Sequence, residues 1–392
     1  MHQLQIPPHP HRLPPRPRRN STRRAHCCAP RQQRRQQRGV AIITVLVIAV
    51  LIVTLAAVIF ARQSRAVRQN DNVQALERAW QYTYTLEQYA ALQLQIDAKT
   101  NKYDALTDRW ATEIPQQTVP QANGITVRFK GKLEDMQARF NLNNLLSQDA
   151  EQKGKLDVAA LSLLKPFVTN AGLPSGFVDV IADWLDANTL PQSADGAERD
   201  FYLSGSMPYL AADMPFVDIS EVRLLRLDNI EPQQKDKALK NFLQTVTVLP
   251  FKKTTINPNT ASKAVLSALG LTNDQLNLIK EKRTNKQAYK TKEAFFQEMG
   301  FDPEKDAKQK TLTETFDVTS QYFRLTGEIQ IGHARVFLNS LLFREPNGKV
   351  RVIMHQFDRA SDSSDAQTTK QTTTTTDTDT TNDASNTSAN TN

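Results

Sequence analysis

The feature that most constrains this chain is a run of 22 residues without a charge, from Val40 to Ala61 (VAIITVLVIAVLIVTLAAVIFA). At a rise of 1.5 Å per residue, a helix of that length extends about 33 Å and crosses a hydrocarbon core of about 30 Å. A helix packed on a soluble domain keeps a polar face, and this run has none. It is read as a membrane span. Residues 1–39 hold ten Arg and no acid, so of the formal net charge of +8, residues 40–392 carry −2. Basic residues collect on the cytoplasmic side of a span, which directs the N-terminus to the cytoplasm and everything after Ala61 to the far side. Arg62, Arg65 and Arg68 at the exit are outweighed by the ten-residue cluster. The leader is Pro-, Arg- and Gln-rich (HPHRLPPRPRR, RQQRRQQR), lacks apolar periodicity and is expected to be disordered. Both cysteines, Cys27 and Cys28, fall within it, so residues 40–392 can build neither a disulfide framework nor a cysteine metal site.

Beyond the span no Pro or Gly interrupts residues 62–100, and Ala75, Ala79, Tyr82, Leu86, Tyr89 and Ile96 recur at helical spacing. The span is therefore expected to continue as one helix with its outer half packed on a domain. Residues 125–133 alternate: Ile125, Val127, Phe129 and Leu133 face one way, with Thr126, Arg128, Lys130 and Lys132 opposite. Met136, Ala138, Phe140 and Leu142 resume the alternation after a slip at Glu134-Asp135, which predicts a turn or bulge. Near the other end, 322–331 reads as a strand, and 336–344 and 349–357 read as a hairpin closed by Pro346-Asn347-Gly348. Between these β regions the pattern is helical, as at 156–170, 176–187 and 260–269. The fold class is α+β: an N-terminal transmembrane helix continuing into a spine helix, an antiparallel sheet, and a large all-α domain inserted between strands.

Candidate chemistry is sparse. Asp183 and Asp186 stand at i and i+3 on one helical face, with Asp195, Glu198 and Asp200 after a polar loop. Carboxylates converging in this way, with Asn188 able to add a carbonyl oxygen, suit calcium, which takes six to eight oxygen ligands. Paired carboxylates also serve glycoside hydrolysis, but no aromatic subsites cluster nearby. Of six His, four lie in the leader, and His333 and His355 fall in strands. That leaves no metal triad, no Ser-His-Asp arrangement and no Gly-rich phosphate loop, so an enzyme is not expected. Residues 256–301 are similar to helix-hairpin-helix modules, with Lys280, Lys282, Arg283, Lys286, Lys290 and Lys292 supplying positive charge. The G-x-G hairpin is reduced to Gly270 and Thr272, which weakens a DNA-binding reading because backbone must approach phosphate closely. The Thr/Asp/Ser/Asn tail from 359 to 392 is nearly devoid of apolar residues and is expected to be disordered.

A basic leader ending in Arg38-Gly39 directly before a long apolar helix resembles the class III signal of type IV prepilins and type II secretion pseudopilins. The resemblance implies cleavage by a prepilin peptidase between Gly39 and Val40. Most such subunits carry Glu at the fifth mature position, where Thr44 stands here. Within the family that Glu pairs with the N-terminal amine of the subunit ahead, and its absence marks the minor type II secretion pseudopilin of the protein K family. RFNLNNLL (139–146), DWLDANTLPQSADGAERDFYLS (183–204), PFVDISEVRLL (215–225) and TTINPNTASKAVLSALGL (254–271) resemble that family's segments in the same order. The resemblance implies a pilin-like spine and sheet interrupted by an α-domain associated with calcium, though Arg199 stands where a further acid is common.

The implied organisation is a prepilin-type leader (1–39), the transmembrane helix (40–61), spine and first strands (62–142), and an inserted α-domain (143–310) with its helix-hairpin-helix-like part (254–301). Last strands (311–358) and a tail (359–392) follow. The implied role is a minor pseudopilin, single-pass in the bacterial inner membrane with its domain in the periplasm. Its implied partners are other minor and major pseudopilins, the prepilin peptidase and the inner-membrane secretion platform. A membrane-anchored DNA receptor and a type IV pilus minor pilin are the alternatives, and nucleic acid is not the expected partner.

Overall fold

The structure, a computed structural model, describes residues 38–120, 126–147, 154–228, 230–250, 253–332 and 334–359. The leader to residue 37, the tail from 360, Ile125 and His333 lie outside these. The first helix, α1 (Arg38–Thr100), is continuous over 63 residues. The chain divides within it into two compact units, Met1–Val67 and Arg68–Asn392. In the first unit every side chain from 41 to 67 is exposed, so the uncharged run has no protein partner among the described residues.

In the second unit α1 buries Ala79, Thr83, Leu86, Glu87, Ala90, Leu94 and Asp97, spaced at threes and fours. Tyr89 and Ile96, expected on that face, are exposed. Four of the helix's buried positions are polar (Thr83, Glu87, Gln93 and Asp97), and a reading that follows apolar residues alone drifts onto the neighbouring stripe. The face packs on a five-stranded antiparallel sheet of order β1-β2-β5-β6-β7. Its strands are β1 (Ile114–Pro120), β2 (Thr126–Asp135), β5 (Tyr322–Ile331), β6 (Ala334–Arg344) and β7 (Val350–Arg359). β1 was not foreseen. Its Pro115 and Pro120 argue against a central strand and fit the edge position it takes.

β2 and β5 pair from Val127↔Ile331 to Asp135↔Phe323 although the helical region lies between them in sequence. Gly131 faces Gly327 in this ladder, and Leu86 of α1 sits over the pair. A Cβ on Gly327 would lie 2.5 Å from Leu86 Cδ2, so the helix approaches the sheet where side chains are missing. The core beneath consists of Ala90, Leu94, Trp110, Val127, Leu133, Phe323, Leu325, Leu338 and their neighbours.

The expected alternation over 136–142 does not continue as a strand. A 3₁₀ turn (Met136–Ala138), the short β3 (Phe140–Asn141) and a second 3₁₀ turn (Leu142–Leu145) take its place. Asp135 and Asn141 each accept a hydrogen bond from the backbone two residues on, which caps the turns and outweighs the period-two pattern. β3 pairs in parallel with β4 (Val246–Thr247). Around them pack α2 (Val158–Ala171), α3 (Phe177–Leu185), α4 (Arg199–Leu203), α5 (Pro232–Thr245), α6 (Lys263–Ala268), α7 (Asn273–Thr284), α8 (Lys292–Met299) and α9 (Ala307–Thr315). The helices share a second core that includes Phe140, Phe167, Phe177, Trp184, Phe242, Val265, Phe295 and Phe316. Helical structure thus runs five residues past the expected boundary at 310.

Buried polar side chains join the helical region to the sheet. Asn143 donates to the carbonyls of Phe216 and Leu249 at 2.9 and 2.7 Å and accepts from Phe216 N. Asn257 is fully buried and donates to the Asp104 carbonyl, Asp135 Oδ2 and Ser320 Oγ. Thr260 and Ser320 each donate to Asp135 Oδ2 at 2.6 Å. Burial pushes the Asp135 carboxyl up to about 6, against the pull of those hydroxyls.

Asn257→Ala strands several of these groups and is expected to cost roughly 1–3 kcal/mol of unfolding free energy. Asn277→Ala, on an exposed face of α7, is expected to cost less than about 0.5 kcal/mol. Urea unfolding of both variants in detergent checks the difference.

Candidate functional site

The acidic group foreseen between 183 and 200 is built at the C-terminal end of α3. Asp183, fully buried, accepts Gln192 N at 2.9 Å on one oxygen and Ala197 N at 2.8 Å on the other. These bonds fold the loop back over the helix. Gly196 is required there, since a Cβ would lie 2.1 Å from Asp183 Oδ2. Asp186 stands just past the helix, accepting Gln192 Nε2 at 2.9 Å and Asn188 N at 3.3 Å. It is the helix cap and not a second residue on a helical face. Arg226 holds the far side of the loop through the Gly196 carbonyl at 2.9 Å.

Glu198 is the unusual member. It is 6% exposed, and both carboxylate oxygens are buried without a hydrogen-bond partner. Burial, reinforced by the charges of Asp183, Asp186 and Asp213, pushes it up to about 7. Burial likewise raises Asp183 and Asp186. Asp213, which the sequence reading missed, is exposed on the 204–215 loop with a left-handed backbone, φ +49°, and its charge acts on Glu198. A lone acid in the apolar context YLAADMPF gives no periodic signal. Among the expected residues, Asp183, Asp186 and Glu198 are brought together. Asn188, Asp195 and Asp200 are exposed at the margin, and the Asn188 side-chain oxygen accepts Leu190 N. Two buried carboxylate oxygens without a donor, beside three further acids, fit a hard cation with oxygen coordination.

The helix-hairpin-helix-like part has its groups committed elsewhere. Thr272 and Gln275 cap the start of α7 reciprocally, so its first N–H groups meet side chains of the same chain. Arg283 donates to the carbonyls of Pro258 and Ala261 at 2.6 Å, and Lys282 pairs with Glu298 at 2.9 Å. Lys280, Lys286, Lys290 and Lys292 are exposed. In α1, Gly39 and Val40 occupy the first turn, and Thr44 donates its hydroxyl to the Ala41 carbonyl at 2.9 Å.

An acid whose pKa is raised by folding holds its proton more tightly in the folded chain. Stability supplied by that proton is present below the ordinary value of 4.5 and is lost as pH rises towards about 7 for Glu198. With chelator present, Glu198→Gln should therefore gain on the wild type across this window, by roughly 1–3 kcal/mol at pH 8. Denaturation midpoints at pH 5 and 8 measure it, and parallel pH profiles would contradict the assignment.

A family model described as type II secretion system protein K matches residues 138–250, from the turn after β2 through the acidic group to just past β4. The chain is 31% identical over 327 residues to type II secretion system protein K of Pseudomonas aeruginosa, spanning 80% of this chain and 91% of that protein. It is 28% identical over 326 residues to the protein K of Aeromonas hydrophila, spanning 80% and 94%. Among solved structures, the fold matches a chain of the GspK-GspI-GspJ complex from the type 2 secretion system of enterotoxigenic Escherichia coli. That match has a TM-score of 0.63 at 23% identity and covers 74% of this chain and all of the other. This chain belongs to the type II secretion system protein K family.

Proposed function

We propose that the protein is a minor pseudopilin of the type II secretion apparatus, at the tip of the pseudopilus, where it supports export of folded periplasmic proteins across the outer membrane. The observation that carries this reading is α1. One helix holds 22 uncharged residues, all described side chains of which are exposed, and then runs without interruption into the face that packs on the sheet. Such a helix is an anchor before assembly and a bundling surface after it. The basic leader orients it in the bacterial inner membrane with the folded unit in the periplasm. The matched GspK assembles with GspI and GspJ, and minor pseudopilins of those types are the expected neighbours here, together with major pseudopilins and the inner-membrane platform. Thr44 supports the tip position, because a carboxylate in an apolar bundle is costly without a partner and a terminal subunit has no amine ahead to pair with. The bulk of the helical region supports it too, as an obstacle to a further subunit above.

Calcium is the proposed ligand of Asp183, Asp186, Glu198 and Asp213, supported by the two unpartnered oxygens of Glu198. A cation that binds only the folded state raises stability, by about 2.7 kcal/mol at a hundredfold excess over Kd. Thermal unfolding with calcium and with chelator measures that increment. An increment unchanged in Glu198→Gln sinks this ligand assignment.

Processing tests the family role directly. Co-expression with a prepilin peptidase should shorten the chain by the 39 residues of the leader, leaving Val40 as the N-terminus by mass spectrometry. Gly39→Ala should remain full length, and a Gly39→Ala chain still cut before Val40 contradicts the pilin-type signal.

A further inference from the structure

We infer that the protein holds a second cation site, for a hard divalent ion, where α1 ends against the sheet, formed by Asp97, Asp104 and Asp108. These three carboxylates are buried, and each offers an oxygen within 4.8 Å of the others. Among the described residues no other trio of such ligands comes so close. Arg344 is the one base in contact, pairing through its two terminal nitrogens with Asp97 Oδ2 at 3.3 Å and with Asp104 Oδ2. Its single positive charge leaves two of the three negative charges uncompensated, and buried charge without a counter-charge is strongly disfavoured.

The second observation is an orphaned atom. Asp104 is 1% exposed, and its Oδ2 takes Ser320 N at 2.7 Å as well as Arg344, while its Oδ1 is buried without any partner. Asp97 and Asp108 each turn one oxygen to Arg344 or to the backbone. The remaining ones, Asp97 Oδ1 and Asp108 Oδ1, share a single donor, Asn101 Nδ2, at 3.1 and 3.3 Å. That amide lies between the two acids, and rotating it by half a turn presents its oxygen in place of its nitrogen. Asn101 is then a fourth ligand, and the donor set is oxygen throughout, which suits calcium and excludes soft metals. The site draws on different residues from the Glu198 group and does not depend on it. The competing occupant is a proton held between Asp97 and Asp104.

Terbium alone, a luminescent stand-in for calcium, is the probe, added to the full chain in detergent at pH 7.5. In Glu198→Gln, terbium excited through Trp110, two residues from Asp108, should still luminesce, and calcium should quench the signal by displacement. Asp97→Asn and Asp108→Asn in that background should each lower the affinity at least tenfold. Asn101→Asp, which adds a charged ligand without removing one, should raise it about tenfold. Absence of a signal in Glu198→Gln, or affinities unmoved by all three substitutions, overturns the site and leaves the proton as the occupant. Far-ultraviolet circular dichroism confirms that each variant is folded, and Asn101→Asp keeps the test decisive should a carboxylate removal unfold the chain.

Discussion

Much of the second unit depends on one carboxylate. Asp135 Oδ2 receives hydrogen bonds from Asn257, Thr260 and Ser320, so the end of β2, the segment before α6 and the entry to β5 converge on a single buried atom. Water cannot substitute for these partners, and each is costly to leave unpaired. The same asparagine reaches the Asp104 carbonyl and thereby the segment that follows α1. This explains how one chain carries two hydrophobic cores without dividing into two units at their border. The cores contribute most of the burial energy, and the polar hub fixes their register.

The hub also accounts for an insertion of this size. Glu134 and Arg324 meet at 2.6 Å although they are 190 residues apart in sequence. Burial alone would raise the Glu134 carboxyl, yet Arg324, Arg139 and Lys132 hold it at about 2. The entropy of closing a loop grows only with the logarithm of its length, so a large insertion adds little once its ends are tied. Tying the ends is the difficult part, and here a nine-residue ladder between β2 and β5 does it alongside the ion pairs and Asp135.

How much of this was legible follows from where the signals come from. The membrane span, β2, β5 and the β6–β7 hairpin were readable because they rest on period and turn chemistry, and Gly348 adopts the left-handed backbone that the Asn-Gly turn asks for. α2, α3 and α6 were placed to within a few residues for the same reason. What stayed hidden was mostly polar and buried. Thr83, Glu87 and Asp97 made the packing face of α1 look like a different stripe, and Asp135 and Asn141 turned an apparent strand into two capped turns. The acidic group was recognisable from Asp183, Asp186 and Glu198, while Asp213 and the trio at Asp97, Asp104 and Asp108 were not. Isolated acids become a site only when the fold brings distant segments together.

The buried charges of the second unit are mostly of one sign. Among the described buried side chains there are eight carboxylates, Glu87, Asp97, Asp104, Asp108, Asp135, Asp183, Asp186 and Glu198, and one guanidinium, Arg344. A single base cannot neutralise eight acids, and hydrogen bonds from hydroxyls, amides and backbone relieve only part of the deficit. Partly exposed groups lie against some of these acids, as His355 Nδ1 does at 3.7 Å from Glu87, and burial makes others hold their protons more tightly, as at Asp97 and Glu198. Protons held in this way are released on unfolding, so the stability of this fold depends on pH. A cation bound at such oxygens would compete with those protons, so its binding would tighten as pH rises. On the calcium reading proposed above, the acids that weaken the metal-free fold near neutral pH are the groups through which a divalent ion would strengthen it.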